Sequence, residues 1–375
     1  MTAPKITNEQ LINEINAGNS LTEISYKYDV NLRNLARRRT SLKKKGLLED
    51  TTMYSVPLGH KLKGVTYKAN DKGELEPYWV KSISIDDSED KKENLIEAVI
   101  EAFKTKLPRF KFLNRKSKHV KEDSLVVFPL GDPHIGMMAW HEECGEDWDL
   151  KIAQEVFTKV FQEVVNNTPA CAHALIINLG DYFHYDNIEG ITSRSKNVLD
   201  KDGRALKMLR VGTLLARMMI DYALQKHEKV TWMNINGNHD DILSMALGEA
   251  LIIAYENNPR INVITGYKPI HYFQWGQVMI ASHHGHTIKM KDLGANIAAD
   301  QPKMWGDTKW RYCLTGHIHK DSKDTYPGII VESFSTLAAP DSFAAWHGYG
   351  NSVRNQKAII YTKEGGEDRR FIKNL

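Results

Sequence analysis

Five short segments of this chain each join a metal-capable side chain to a glycine. They are Gly131-Asp132-Pro133-His134, Gly180-Asp181, Gly237-Asn238-His239-Asp240, His283-His284-Gly285 and Gly316-His317-Ile318-His319. At least four of them follow apolar, strand-like runs, at 125–130, 174–179, 230–235 and 278–281. An α/β fold builds a site in this way, with functional side chains on loops just past the strand ends. The inventory is Asp, Asn and His, with no Cys. Ligands of that hardness suit Mn²⁺, Fe or Zn²⁺, with Mn²⁺ expected first, and leave a carboxylate to bridge two ions. Two ions close together are the usual machinery for in-line displacement at phosphorus.

A chain of 375 residues exceeds a typical single domain, so a main domain with an appended one is expected. No stretch reaches the ~18 apolar residues of a membrane span. The first thirty residues lack the apolar core of a signal peptide. Cys144, Cys171 and Cys313 are odd in number and far apart, so they read as free thiols. These features predict a cytoplasmic protein without membrane contact. A homodimer is left open.

Charge divides the chain further. Residues 1–48 hold nine Lys/Arg against four Asp/Glu, a net of +5. Residues 49–102 carry −5, residues 103–121 carry +8 without an acid, and residues 122–375 carry −5. We therefore read a helical domain over 1–48, a connector with a helix and a basic segment over 49–121, and a catalytic domain over 122–375. An acidic catalytic part with basic attachments suggests that the attachments meet a polyanion.

Residues 7–46 read as three helices. Leu11, Ile12 and Ile15 stripe the first, and Ser20 with Glu23 forms a capping box for the second. Residues 21–39 resemble the helix-turn-helix of recombinases and transcriptional regulators, with two departures. Asp29 stands where the turn usually has glycine, and Ser25 replaces a small apolar residue. Arg33, Arg37, Arg38 and Arg39 fall on or beside the recognition helix, followed by Lys43, Lys44 and Lys45. This makes DNA the expected partner; a helical docking module is the alternative. Residues 50–87 read as a small β-rich connector and 94–106 as a helix. The basic run 104–121 is either a solvated linker or an arm that follows phosphates.

From 125 onward strands and helices alternate. Helices are predicted over 148–166, 204–226 and 245–256. Strands are predicted at 174–179, 230–235, 312–315, 329–332 and 358–361, with a strand–turn–strand over 272–281. The polar stretch 186–204, with Arg194, Lys196, Lys201 and Arg204, is a solvated loop or a substrate clamp. In 292–311, packing is the expected role of Trp305 and Trp310, with base stacking as the alternative.

The order and content of the five motifs resemble the calcineurin-like metallophosphoesterase superfamily over residues 125–337. The resemblance implies an α/β, four-layer αββα sandwich of two mixed sheets flanked by helices, here carrying a small all-α N-terminal domain. It implies that Asp132, His134 and His319 hold one divalent ion, that Asn238, His284 and His317 hold a second, and that Asp181 bridges both. Such a bridge keeps two cations close. They then share a water acidic enough to supply hydroxide near neutral pH.

The resemblance also makes His239 the acid that protonates the leaving alkoxide, with a structural role as the alternative. A histidine beside two cations needs an offsetting carboxylate, which Asp240 or Asp241 could supply. In the run 283–286 the family pattern favours His284, while His283 reads as a satisfied core histidine. His286 could line the site. Gly180-Asp181-Tyr182-Phe183-His184 is similar to a run in nuclease subunits of double-strand-break repair, which places His184 by the substrate phosphate. An N-terminal helix-turn-helix joined to this motif set also resembles phage-encoded phosphoesterases. The reading is a dinuclear-metal phosphodiesterase, a nuclease acting on DNA. Two alternatives remain: the same chemistry on small or cyclic nucleotides or phosphoproteins, and a DNA-binding regulator that keeps the fold only as a scaffold.

Overall fold

Three helices, α1 (Asn8–Asn16), α2 (Leu21–Tyr28) and α3 (Leu32–Lys44), close around Ile6, Leu11, Ile15, Ile24, Leu35 and Leu42. The structure, a computed structural model, describes residues 6–17, 19–44, 60–69, 75–84, 120–187, 189–192, 198–348 and 353–375, with backbone alone at 43–44, 60–69 and 75–84. The chain divides into two compact units, Met1–Lys92 and Glu93–Leu375.

The first unit shows why its sequence turns where it does. Ser20 accepts the Glu23 N–H at 3.2 Å while the Glu23 carboxylate accepts the Ser20 N–H at 2.7 Å. Reciprocal caps of this kind are each worth about 1 kcal/mol. Asp29 takes the left-handed conformation, φ 49°, at the end of α2. Ser25 donates its hydroxyl to Val30 O at 2.7 Å, so this departure from a small apolar residue ties down the turn itself. Two antiparallel strands follow, β1 (His60–Ala69) and β2 (Leu75–Ser84). The helix expected over 94–106 and the basic run up to residue 119 lie outside the described residues.

The second unit begins with β3 (Lys121–Leu130), α4 (His141–Cys144), α5 (Leu150–Asn167), β4 (Cys171–Asn178), α6 (Ala205–Leu224) and β5 (Lys229–Asn234). It continues with α7 (Asp241–Tyr255), β6 (Ile261–Ile264), β7 (Ile270–Trp275), β8 (Val278–His283), α8 (Met290–Asp300) and α9 (Pro302–Asp307). Last come β9 (Trp310–Thr315), β10 (Ser322–Tyr326), β11 (Ile329–Ser333), α10 (Ser342–Trp346), β12 (Asn355–Thr362) and β13 (Gly366–Asn374). One sheet has the order β13-β12-β3-β4-β5-β6 and the other β10-β11-β9-β8-β7.

Strand alternation builds the layers. Val126 and Phe128 of β3 and Ala174 and Ile176 of β4 face the core shared with α5, α6 and α7. Their neighbours Leu125, Val127, Leu175 and Ile177 face the other sheet, meeting Val278, Ile280, Tyr312 and Leu314. The far side of that second sheet buries Met279, Ala281 and Cys313 against Leu293 and Ile297 of α8. The result is helix, sheet, sheet, helix. Because β3, β4 and β5 are mutually parallel, and β8, β9 and β11 likewise, the strand ends of each set come out together.

Helix α7 starts four residues before the expected 245. The Asp186 carboxylate, distant in sequence, accepts the N–H groups of Ile242 and Leu243 at 2.8 Å each and starts the helix there. Among the described residues, no helix is long and apolar enough to cross a membrane. Cys144, Cys171 and Cys313 are free, the last two buried.

Candidate metal centre

The chain leaves three of the five ligand-bearing strands, β3, β4 and β9, through a backbone conformation that L-residues rarely adopt. Asp132, His134, Asp181, His317 and His319 all have φ between 43° and 72°. Left-handed residues outside glycine are uncommon and mark functional strain when they cluster. The glycines beside them make room. A Cβ on Gly316 would stand 2.6 Å from Asp132 Oδ2, and one on Gly237 would collide with the Asp181 carboxylate.

Two groups of side chains converge, each with ligand atoms within 4.8 Å of one another: Asp132, His134 and His319, and Asp181, His284 and His317. In the first, Nε2 of His134 and Nε2 of His319 lie 3.1 Å apart. Two nitrogens about 2.1 Å from one ion at roughly a right angle would span that distance, so the pair fits a shared divalent cation. The Asp132 carboxylate accepts the His317 N–H at 2.9 Å, which links the two groups. Burial, and then the neighbouring His239, His319 and His184, pushes the pKa of His134 well below its ordinary value. His134 is therefore in the neutral form that binds metals.

In the second group, His284 Nδ1 donates to Leu179 O at 2.8 Å, leaving Nε2 directed at Asn238 Oδ1, 3.1 Å away, and Asp181 Oδ2, 3.2 Å away. A carbonyl partner of this kind selects the tautomer and orients the ring of a ligand histidine. Burial opposes a charge on His284, but Asp181 and Asp132 outweigh it and raise its pKa to about 10. Burial likewise opposes ionisation of Asp181, and His284 overrides it, holding the carboxyl well below its usual range. The proton on His284 stands where a dication would.

His239 reaches the site from the loop after β5. Its backbone N–H donates to Asp181 Oδ1 at 2.8 Å, and its Nδ1 lies 2.9 Å from the His184 carbonyl oxygen. Asp240 is one of the two carboxylates expected to offset the cations beside His239. Asp240 is fully buried and turns away, accepting the N–H groups of Phe183 at 2.9 Å and Gly237 at 3.1 Å. Those two donors come from the loops after β4 and β5, so Asp240 joins the loops instead of charging His239. Burial and the nearby Asp181 raise its pKa well above the carboxylate range.

His184 is also buried. Its Nδ1 lies 3.2 Å from Nδ1 of His134, so its ring touches a ligand and lies outside the lining of the open site. His134, His184 and His239 thus form a third close group, which spacing along the chain does not reveal. His283 is satisfied by Thr287 Oγ1 at 2.9 Å and by the Gly285 N–H at 2.9 Å. His286 stacks on it, its ring 5.2 Å from that of His284.

A cavity of about 760 Å³ opens over these side chains. One wall is His134, Asp181, Asn238, His239, His317 and His319. The cavity's lining also includes Ala338, Pro340 and Phe343, from a segment that sequence reading passed over. Its position follows the same rule as the ligands. It lies past the end of β11, which is parallel to β9, and Thr336 Oγ1 donates to Asp132 O at 2.7 Å.

The expected DNA contacts divide. Arg33 and Arg37 are exposed on α3 and Arg39 is half-buried. The Arg38 guanidinium holds α3 to the start of α1, donating to Ile6 O at 2.9 Å and to Asn8 Oδ1 at 2.6 Å. Lys43 and Lys44 end α3. Lys45 lies outside the described residues, as do Arg194 and Lys196. Trp305 packs under the Arg311 guanidinium and Trp310 donates to Glu364 O at 2.8 Å, so both serve packing.

No family model matches the chain, and no curated protein matches it. Solved structures do match. An uncharacterised protein from Streptococcus pneumoniae, described as a predicted phosphoesterase, is 12% identical over 67% of this chain and 98% of its own, with a TM-score of 0.27. Vacuolar Protein Sorting 29 from Cryptosporidium parvum is 13% identical over 68% and 99%, with a TM-score of 0.31. PhoD is 8% identical over 67% and 71%, with a TM-score of 0.30. Similarity at this level assigns no activity to the chain.

Proposed function

We propose that this protein is a metal-dependent phosphoesterase, a phosphodiesterase of the calcineurin-like type, whose N-terminal helices deliver it to DNA. The observation that carries the reading is the convergence of seven Asp, Asn and His side chains from the ends of five strands; five of these side chains line one cavity, while Asp132 and His284 lie buried behind them. Asp132, His134 and His319 would hold one divalent ion, and Asn238, His284 and His317 a second. Asp181 would serve both groups as their common carboxylate. Bound there, the ions would supply Lewis acidity at the phosphoryl oxygens and a nucleophile from water near neutral pH.

The chain's own residues do the rest. The Leu179 carbonyl keeps His284 Nε2 free of a proton once a cation competes for it. The His184 carbonyl accepts the Nδ1–H of His239, so Nε2 is the atom that, when the ring has taken up a second proton, would pass it to the leaving oxygen. Buried Asp240 keeps the His239 loop against the Phe183 loop, so that the ring stays over the floor. The test is a panel on the full chain with Mn²⁺: bis-p-nitrophenyl phosphate, p-nitrophenyl phosphate, cyclic nucleotides, and single- and double-stranded DNA. The reading expects diesters to turn over faster than the monoester. A clear preference for the monoester moves the assignment to small phosphomonoesters or phosphoproteins.

A further inference from the structure

Part of the cavity's wall is apolar, a surface that a plain phosphate binder does not need. Ile318 lies between the ligand histidines His317 and His319 and is 50% exposed. Ala338, Ala339, Pro340 and Phe343 line the same cavity, the last 58% exposed. The Phe343 ring is backed by His347, ring centres 4.0 Å apart. Large apolar groups left open beside a polar site mark a ligand surface.

The charges along this wall are engaged within the chain. The Arg354 guanidinium donates to Leu337 O and pairs with Glu146. Asp200 accepts the Ser342 hydroxyl at 2.5 Å, and Asp341 caps α10 through the Ala344 N–H at 2.8 Å. The cavity's volume, about 760 Å³, falls in the range of small-ligand sites and far exceeds the need of a lone phosphate. Among the described residues, Lys320 is the other Lys or Arg in the lining.

We propose that this wall seats an unpaired nucleobase, linked through one ester oxygen to the phosphorus held over the metal ligands, with Phe343 as its stacking contact. The proposal rests on the phosphoesterase reading and narrows it. Ile318 and Phe343 line the same cavity as five of the ligand side chains, so a base held there shares that cavity with the phosphate. A paired base cannot take the position. It is stacked inside the duplex and would have to be extruded first. The substrate is therefore a free nucleotide diester or a single-stranded or frayed end. Base–aromatic stacking tolerates any base, so little sequence preference arises from it.

The test compares thymidine 5′-(p-nitrophenyl phosphate) with methyl p-nitrophenyl phosphate on the full chain with Mn²⁺, in the wild type, Phe343→Ala and Phe343→Trp. The wild type should favour the nucleoside ester in kcat/KM. Phe343→Ala should lower that preference about tenfold, the size expected for one stacked base, and Phe343→Trp should restore it. Titration with thymidine 5′-monophosphate gives a readout free of turnover, and its affinity should fall in Phe343→Ala by a similar factor. Single-stranded oligonucleotide and cyclic nucleotide are compared as inhibitors to separate the two sources of the base. Any inhibition by covalently closed duplex, which the N-terminal helices would bind, should be the same in the wild type, Phe343→Ala and Phe343→Trp.

An unchanged ester preference in Phe343→Ala, or closed-duplex inhibition that weakens in Phe343→Ala as single-strand inhibition does, would overturn the proposal. Loss of all hydrolysis together with Phe343-dependent nucleotide binding would remove the phosphoesterase reading and uphold the nucleobase wall. Loss of both would remove both.

Discussion

Adding one methyl group at Gly316 should disable the centre while leaving the fold intact. Gly316 lies outside the left-handed region, so alanine meets no backbone strain there. The obstacle is steric. Its Cβ would stand 2.6 Å from Asp132 Oδ2 and 3.2 Å from Cγ. A relaxed carbon–oxygen contact is about 3.3 Å, so something must move by about 0.7 Å. Asp132 cannot yield alone, because both its oxygens accept the His317 N–H at 2.9 Å. Metal ligands tolerate displacements of about 0.2 Å, and a misplacement near 1 Å costs about a hundredfold in rate. Gly316→Ala should therefore lower kcat/KM on bis-p-nitrophenyl phosphate by roughly ten- to a hundredfold. The ion held by Asp132 should be the one depleted. Metal analysis, a thermal melt and the diester assay on one preparation decide it. A full metal complement with turnover within about twofold of the wild type would refute the steric argument.

His239→Ala should slow diesters with alkyl leaving groups by ~10²–10⁴-fold and nitrophenyl esters far less, since nitrophenolate needs little protonation. Equal losses on both would show that His239 is not the acid. Metal loading should strengthen with pH, because the ion displaces protons from His284 and from His319, whose pKa Asp132 raises against the opposing effect of burial. The sign for the metal-free fold is opposite: His284, ordinarily near 6.5 and here about 10, adds stability that is complete below pH 6.5 and lost as pH rises through 10. Calorimetric titrations in buffers of different ionisation enthalpy read the proton release directly, and its absence would contradict the assignment. In the helical unit, Arg33→Ala with Arg37→Ala should flatten the salt dependence of DNA binding by about 0.9 per lost phosphate contact. Arg38→Ala should instead lower the melting temperature of that unit. Identical salt slopes would point away from α3 as the DNA reader.

What could be read in advance depended on how far each cause lay along the chain. Strands β3, β4, β5, β8 and β9 are buried on both faces, so they show as continuous apolar runs. The ligands follow them directly, which made the site legible. Strands β10 and β13 escaped notice because they are edges, rich in charge and mostly exposed; the short β6 escaped because it is an edge of four half-buried or exposed residues. The extent of α7 was hidden because its cap, Asp186, comes from another loop. The same reason explains Asp240. Next to His239 in sequence it looked like a charge partner, yet the N–H groups of Phe183 and Gly237 turn it inward. His184 matched a motif, but its ring position against His134 is set by the loop after β4. Nor does the basic run 37–39 reveal that the middle arginine closes a three-helix core.

The central claim is that one floor holds two ions around Asp181. Metal analysis of the full chain, reconstituted with Mn²⁺ and freed of excess ion, tests it beside Asp181→Asn. The account predicts two ions per wild-type chain, and loss of most metal and nearly all diester hydrolysis in Asp181→Asn, because that carboxylate alone serves both groups. A wild-type chain that holds at most one ion, or an Asp181→Asn chain that keeps two and turns over normally, would contradict it.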